Sequence, residues 1–436
     1  MKNILVFSSF PTFPLRQGSS IRTWNLLNNI KSNNYRIHIV YYGAYKNNTN
    51  NLKLLNDYFD SVTILNKETE STNFKGRNIP LDSLYEDGLG EKISELSEYL
   101  EVDIVICNYI FYSKILEYLP KKIYKIIDTH DVFTDKYKIE DWFSFSKNEE
   151  AKGLNRADLV IAIQDNEKKY FESISNSKVV TINHLEENKF IDREYPTLKN
   201  IGILSSGHKQ DLIAIKEFLK HFKTFSKKYP QVNLFLAGNI CNKLSKNEYN
   251  QKNIHLLYLV KDLKDFYTSI DIVCSIPLNG TGLKIKTVET LAYGVPLIAT
   301  SCAIEGIDSS IVEHNCKDVN TVFSALEKVL CKNDYLNFLH KESKKIFDSY
   351  ITKNKKAVDD VFPMEERFED KTYDKLIKLY NKHQYILAKK NINPIRQEEK
   401  KLFDSINRLA NIKFSKKPFM KYKAYKNMLK NFNKLN

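Results

Sequence analysis

Twelve short runs of apolar, largely β-branched residues, separated by stretches long enough for a helix, restrict this chain to one kind of architecture. Seven come first: "NILVFSS" near Ile4, "YRIHIVYYG" near Ile37, "SVTILN" near Val62, "VDIVICN" near Val105, "IYKIIDTH" near Ile126, "ADLVIAIQ" near Val160 and "KVVTINH" near Val180. After the polar stretch "EENKFIDREYPTLKN" five more follow: "IGILSSG", "VNLFLAG", "NIHLLYL", "DIVCSIP" and "VPLIAT". Continuous apolar runs mark strands covered on both faces. Strands that alternate with helices predict parallel sheets joined by crossover helices.

The fresh start after the polar stretch predicts two α/β domains, 1–196 and 197–362, with the boundary at Tyr195 to Asn200. A chain of 436 residues is in any case too long for one ordinary core. The halves repeat an architecture, not a sequence. Past Val361 the text turns rich in lysine, asparagine and tyrosine and offers no strand, so 363–436 reads as a helical basic extension.

No run of about 18 uncharged apolar residues occurs, and "MKNILVFSSF" has neither the apolar length nor the cleavage site of a signal segment, so a cytoplasmic protein is expected. The six cysteines show no C-x-x-C pairing and are read as reduced and structural. The net charge of +14 favours anionic partners, but eight lysines and no acid fall between Asn411 and Asn436. An excess that local argues against nucleic acid as the partner of the whole chain.

The stretch "NGTGLKIKTVETLAYGVPLIATS", Asn279 to Ser301, carries the chemistry. "DIVCSIP" is a strand that runs out at Pro277, and "LKIKTVETLAYG" a helix of about three turns that stops at Gly294 with Pro296 beyond. The loop Asn279-Gly280-Thr281-Gly282 therefore lies between a strand's carboxyl end and a helix's amino end, where unpaired N–H groups and the helix dipole favour an anion. Lys284 and Lys286 add charge, and Glu289, about two turns along, is placed to accept the hydroxyls of a ribose. Together these suggest a nucleoside diphosphate along the helix start. The same spacing also fits a tight turn beside a solvated charged face.

The segment "GTGLKIKTVETLAYGVPLIATSCAIEGI" resembles the donor-site signature of glycosyltransferases built from two facing Rossmann-like domains, especially the retaining bacterial group that elongates surface polysaccharides. Other stretches fall in that family's order: "FPTFPLRQGSSIRTWNLLNNI", "IIDTHDVFTDKY", "NRADLVIAIQDNE", "ILSSGHKQDLIAIKEFL" and "LYLVKDLKDFYTSIDIVCSIP". The resemblance covers about Met1 to Phe362. It implies the GT-B fold, a nucleotide-sugar donor as co-substrate, no cofactor, no metal, and transfer to a hydroxyl of a glycan or lipid-linked acceptor. One position departs: many members carry a glutamate eight residues before the ribose glutamate, and here that position is Thr281.

The resemblance also names site residues. Gly280, Thr281, Gly282, Leu283 and Lys284 make the donor loop, with Glu289 on the ribose; Gly207 and Lys209 open the second domain's part of the site. His130, after "IYKIID", is expected to face the donor sugar, against the alternative that Asp128, His130 and Asp131 form a structural turn. Gly18 and Arg22 are expected to face the diphosphate from the first domain, with Arg22 as a surface charge the alternative. The tail alternates lysines with Phe414, Phe419, Tyr422, Tyr425, Leu429 and Phe432 and fits an anionic membrane surface at the inner face, a strap over the first domain, or a partner-binding hairpin.

The rivals are a nucleotide-sugar epimerase of the same fold and a non-catalytic nucleotide-binding module. A dinucleotide oxidoreductase is disfavoured because "SSFPTFPLRQGSS" holds one glycine where the fingerprint needs three.

Overall fold

The structure is a computed structural model that describes residues 1–15, 17–43, 49–67, 76–138, 143–207, 209–280, 282–367, 373–374, 376–378 and 380–381. Each of the twelve apolar runs is a strand. The first seven are β1 (Asn3–Ser8), β2 (Arg36–Tyr42), β3 (Ser61–Leu65), β4 (Ile104–Asn108), β5 (Tyr124–Asp128), β6 (Leu159–Ala162) and β7 (Lys178–Thr181). The remaining five are β8 (Asn200–Leu204), β9 (Asn233–Ala237), β10 (Ile254–Tyr258), β11 (Ile272–Ser275) and β12 (Leu297–Ala299). The helices are α1 (Gly18–Ser32), α2 (Thr49–Tyr58), α3 (Leu89–Tyr99), α4 (Lys147–Leu154), α5 (Asp165–Ile174) and α6 (Lys209–Lys228), then α7 (Lys246–Tyr249), α8 (Leu263–Ser269), α9 (Ile285–Ala292), α10 (Val319–Cys331) and α11 (Tyr335–Val361).

Two parallel sheets result, one ordered β3-β2-β1-β4-β5-β6-β7 and the other β10-β9-β8-β11-β12. The inner strands β1, β2, β4 and β6 are buried throughout, which is why their runs read as continuously apolar, while the edge strand β10 leaves Leu257 and Tyr258 exposed. Within β1, Leu5 and Phe7 enter one core cluster and Ile4 and Val6 the opposite one; within β11, Ile272 and Cys274 face one way and Val273 the other. The order reverses between β1 and β4 and between β8 and β11, and open α/β sheets bind ligands beyond the strand ends at such points.

The chain crosses between the sheets twice. Residues 182–199 lead from β7 to β8, with Ile182 and Leu185 in a first-domain core and Tyr195 and Leu198 in a second-domain core. The last helix returns: Leu336 and Leu339 pack in the second domain, Val358 and Phe362 in the first.

The stretch read as an extension begins as part of the first domain. Tyr373 and Ile377 lie in its core, and the Tyr373 hydroxyl reaches His38 Nε2 at 3.1 Å and donates to the Leu100 carbonyl at 2.9 Å. Arg36 pairs with Asp374 at 3.1 Å, and Asn381 donates to the Asp60 carbonyl at 2.7 Å. The tail aromatics from Phe414 to Phe432 lie outside the described residues. Among those described, no helix is long and apolar enough to cross a membrane. All six cysteines are free thiols, with Cys107 and Cys274 buried in the strands.

Candidate active site

The second domain supplies one wall. β11 ends at Ser275, and α9 begins at Ile285 with Lys284 as its N-cap, so Gly282, Leu283 and Lys284 belong to the loop and the helix is shorter than its sequence suggests. Gly282 takes φ +76°, a left-handed setting that a Cβ disfavours, and a Cβ there would stand 3.7 Å from Asp131 Oδ1 of the first domain. The Lys284 ammonium curls back to donate to the carbonyls of Gly282 at 2.7 Å and Gly280 at 3.4 Å. It thus braces the loop that the sequence has it extend from. Thr281 lies outside the described residues.

Glu289 sits one turn into α9, buried against the crossing segment. Burial pushes its carboxyl up to about 7, with the Glu186 carboxylate adding to the rise and Lys286 and Lys189 opposing it. Glu186 is itself held by His184 Nε2 at 3.3 Å and Lys189 at 2.9 Å. After β8, Gly207 takes φ +76° and its carbonyl accepts from Lys243 at 2.6 Å; a Cβ there would approach Ile240 Cα to 3.0 Å. Its glycine is thus required by packing against the chain after β9. Lys209 heads α6 and is exposed.

Leu283 corrects an expectation. Its side chain is buried in a cluster with Ile163 of the first domain and Val288 of α9, so the side chain serves packing between the domains.

The first domain supplies the facing wall. α1 begins at Gly18, where a Cβ would come within 3.1 Å of Ile285 Cδ1. The amino ends of α1 and α9 therefore lie close together where the two domains meet, and each is the positive end of its helix dipole. The two domains are also joined by Asn166, which donates to Glu305 at 2.7 Å, and by Asn183, which donates to the Gly306 carbonyl at 3.2 Å.

His130 follows β5 with φ +61°. Its ring stacks on Tyr109, at 4.5 Å and 24°, and meets the edge of Phe10 at 5.6 Å. Tyr109 also has a positive φ, 63°, and its N–H donates to the Asp128 carbonyl at 2.9 Å. Two adjoining side-chain-bearing residues in this sparsely populated region mark a backbone held by its surroundings.

Arg22 corrects the other expectation: it is neither at the cleft surface nor in solvent. It is 2% exposed, with Nη2 on Asp128 Oδ1 at 2.6 Å and Nη1 on the Ile182 carbonyl at 3.0 Å. Burial would raise the Asp128 carboxyl, but Arg22 and His130 outweigh it and hold this acid well below its ordinary range.

Sequence reasoning did not single out Tyr109, Asp131 as the residue facing Gly282, or Glu186. Tyr109 directly follows β4 and Asp131 lies three residues past the end of β5, positions that could have flagged them. Glu186 carries no such signal.

Glu167, in the first turn of α5, is buried with neither carboxylate oxygen hydrogen-bonded, and its carboxyl is pushed up to about 8, first by burial and then by Asp131, against the pull of Arg22 and Lys136. The folded chain thus keeps this proton to higher pH than the unfolded chain, whose carboxyl titrates near 4.5. The associated stability is full below that value and is lost as pH rises through about 8. Glu167→Gln removes the titration, and should unfold about 1–3 kcal/mol later than the parent at pH 8, by a margin that vanishes at pH 4. Urea melts at the two pH values check this.

Residues 199–331 match the family model described as "Glycosyl transferases group 1". That stretch is a glycosyltransferase group 1 domain. It holds β8 to α10, and so Gly207, the loop after β11 and α9. An uncharacterized glycosyltransferase of Haemophilus influenzae is 26% identical over 193 residues, which is 39% of this chain and 51% of that protein. The chain thus spans about half the length of this curated relative. Among solved structures, Anabaena HepE in complex with UDP and glucose aligns with TM-score 0.54 at 14% identity, over 83% of this chain and 100% of its own. A Staphylococcus aureus TarM variant in complex with fondaparinux, α-GlcNAc-glycerol and UDP aligns with TM-score 0.57 at 11% identity, over 89% and 99%. Sucrose-phosphate synthase of Thermosynechococcus elongatus gives 0.59 at 13% identity, over 82% and 96%. These likenesses establish the GT-B fold, the group 1 domain being its second half.

Proposed function

We propose that this chain is a cytoplasmic glycosyltransferase that moves a hexosyl group from a nucleoside-diphosphate sugar to a hydroxyl of a surface glycan or glycoconjugate, with retention at the anomeric carbon. The observation that carries the reading is the close approach of two helix amino ends, α1 at Gly18 and α9 at Ile285, where the first domain meets the group 1 domain. A diphosphate between them gains N–H donors and two positive dipole ends.

In this reading the loop of Gly280, Thr281 and Gly282, with Lys284 and Lys209, faces the diphosphate, Glu289 takes the ribose hydroxyls, and His130 faces the transferred sugar. Cleavage of the bond to the sugar builds negative charge on the diphosphate and positive charge on the ring, so fixed donors in a cleft poor in water favour the transition state. The donors are supplied by the chain itself, and the proposal includes no metal or other cofactor. The lysine-rich tail suits an anionic membrane surface beside a lipid-linked acceptor. UDP is the nucleotide to test first, because the HepE and TarM structures are named as complexes with it.

The test is a melting-temperature panel of UDP, GDP, ADP, CDP and CMP, with and without their sugars. A matching ligand at about 100 times its Kd stabilises by about 2.7 kcal/mol, enough for a shift of a few degrees. Glu289→Ala is expected to abolish most of that shift while the unliganded protein still melts cooperatively. A flat panel overturns the proposal; a positive one followed by interconversion of the sugar without transfer replaces it with an epimerase.

A further inference from the structure

Asp128 is completely buried at the end of β5, between Arg22 and His130. Arg22 holds Oδ1, and the other oxygen, Oδ2, stands 3.2 Å from His130 Nε2. In this setting of the ring the N–H direction misses the oxygen, so the two atoms are within ion-pair range without forming a hydrogen bond. Neither atom has any other hydrogen-bond partner among the described residues, and both are shielded from solvent. A donor and an acceptor left unmade in a buried place are costly, and a small turn of the ring satisfies both.

The neighbouring charged groups do not compete for the ring. Asp131 is engaged by Lys136 and by the Val132 N–H at 3.1 Å. Glu150 accepts from the N–H groups of Phe133 and Thr134, each at 2.8 Å. Tyr109 on one face of the imidazole and Phe10 at its edge limit tilting, so the in-plane setting is left to Asp128.

We infer that Arg22 and Asp128 are positioning residues for His130: Arg22 fixes the carboxylate, the carboxylate takes the Nε2 hydrogen, and the Nε2–H tautomer leaves Nδ1 as the nitrogen offered to the sugar. The inference rests on the reading of His130 as the sugar-facing residue. Arg22 also grips the carbonyl of Ile182, the first residue past β7, so one guanidinium ties the ring's setting to the segment that crosses to the second domain.

The decisive variant is the pair Arg22→Gln with Asp128→Asn, which removes both charges together and avoids leaving one buried alone. An asparagine offers either a carbonyl or an amide to the ring, so the tautomer is no longer specified. Nitrogen NMR of the imidazoles in the full chain is expected to show His130 as Nε2–H in the parent and as a mixture in the double variant. Initial rates are expected to show kcat lower by about 10–100-fold, with KM for the nucleotide sugar within about twofold. Arg22→Lys keeps a charge but loses the two-pronged grip, and should fall between them; it carries the test if the double variant does not fold. Unchanged tautomer and kcat in a folded double variant overturn the inference. If His130→Ala leaves kcat intact, it is the sugar-facing reading that fails, while the tautomer still decides whether Asp128 sets the ring.

Discussion

His130→Ala is expected to lower kcat by about 10²–10³-fold, the scale seen when one preorganised donor is taken from a developing charge. The nucleotide's effect on melting temperature should be unchanged, because in the proposed reading the nucleotide is held by Glu289 and the two helix amino ends and not by this ring. The ring stacks on Tyr109 and meets the edge of Phe10, and its removal leaves Asp128 still held by Arg22. Initial rates at saturating donor measure the effect. A loss confined to KM makes the imidazole a binding group only, and an unchanged rate removes it from the reaction.

Ending the chain after Phe362 is expected to cost about 3–6 kcal/mol, a large share of the ~5–15 kcal/mol that usually holds a protein folded. Tyr373, Leu376 and Ile377, all buried, would leave the first domain, each worth about 1.5–3 kcal/mol of burial before the cost of ordering the segment. Truncation also strands His38. Burial, and secondly Arg36, push its imidazole down to about 3, so it is a neutral ring whose Nδ1 meets Ser61 at 2.8 Å and whose Nε2 meets the Tyr373 hydroxyl at 3.1 Å. Urea melts of the two chains measure the loss. A chain ending at Asn381 keeps these contacts and is the comparison that assigns it. Equal midpoints for all three would mean that the strap adds nothing.

The strands were legible because most are covered on both faces and so need an uninterrupted β-branched apolar run, which few other local structures require. The placement of Gly18, Gly207 and Gly282 after strand ends follows from chain order, whereas the two switch points rest on the order of strands within each sheet, which the sequence does not state. The strap was not legible: Tyr373 and Ile377 sit in a lysine-rich text, and nothing local distinguishes an aromatic that will meet His38, far away in sequence, from one that faces water. Arg22 failed for a related reason. A cation beside a glycine loop reads as an anion contact, and its actual partner, Asp128, is visible only once α1 is laid against β5. Leu283 was read with its loop because it is written inside it, although its side chain turns toward Ile163. Lys284 shows the limit from the other side: its position at the start of α9 was evident, but not its turn back onto the loop's own carbonyls.

The returning helix α11 has a consequence for how this protein is made. Val358, Phe362 and Tyr373 complete a core whose strands were written first, so everything from β8 to α10 is an insertion within the domain that opens the chain. A nascent chain emerging from the ribosome can close the later unit while the earlier one still waits for its final pieces. Folding order during synthesis should then run opposite to the order of the text, and a release arrested near residue 350 should leave the nucleotide-side half protected from protease and the opening half exposed.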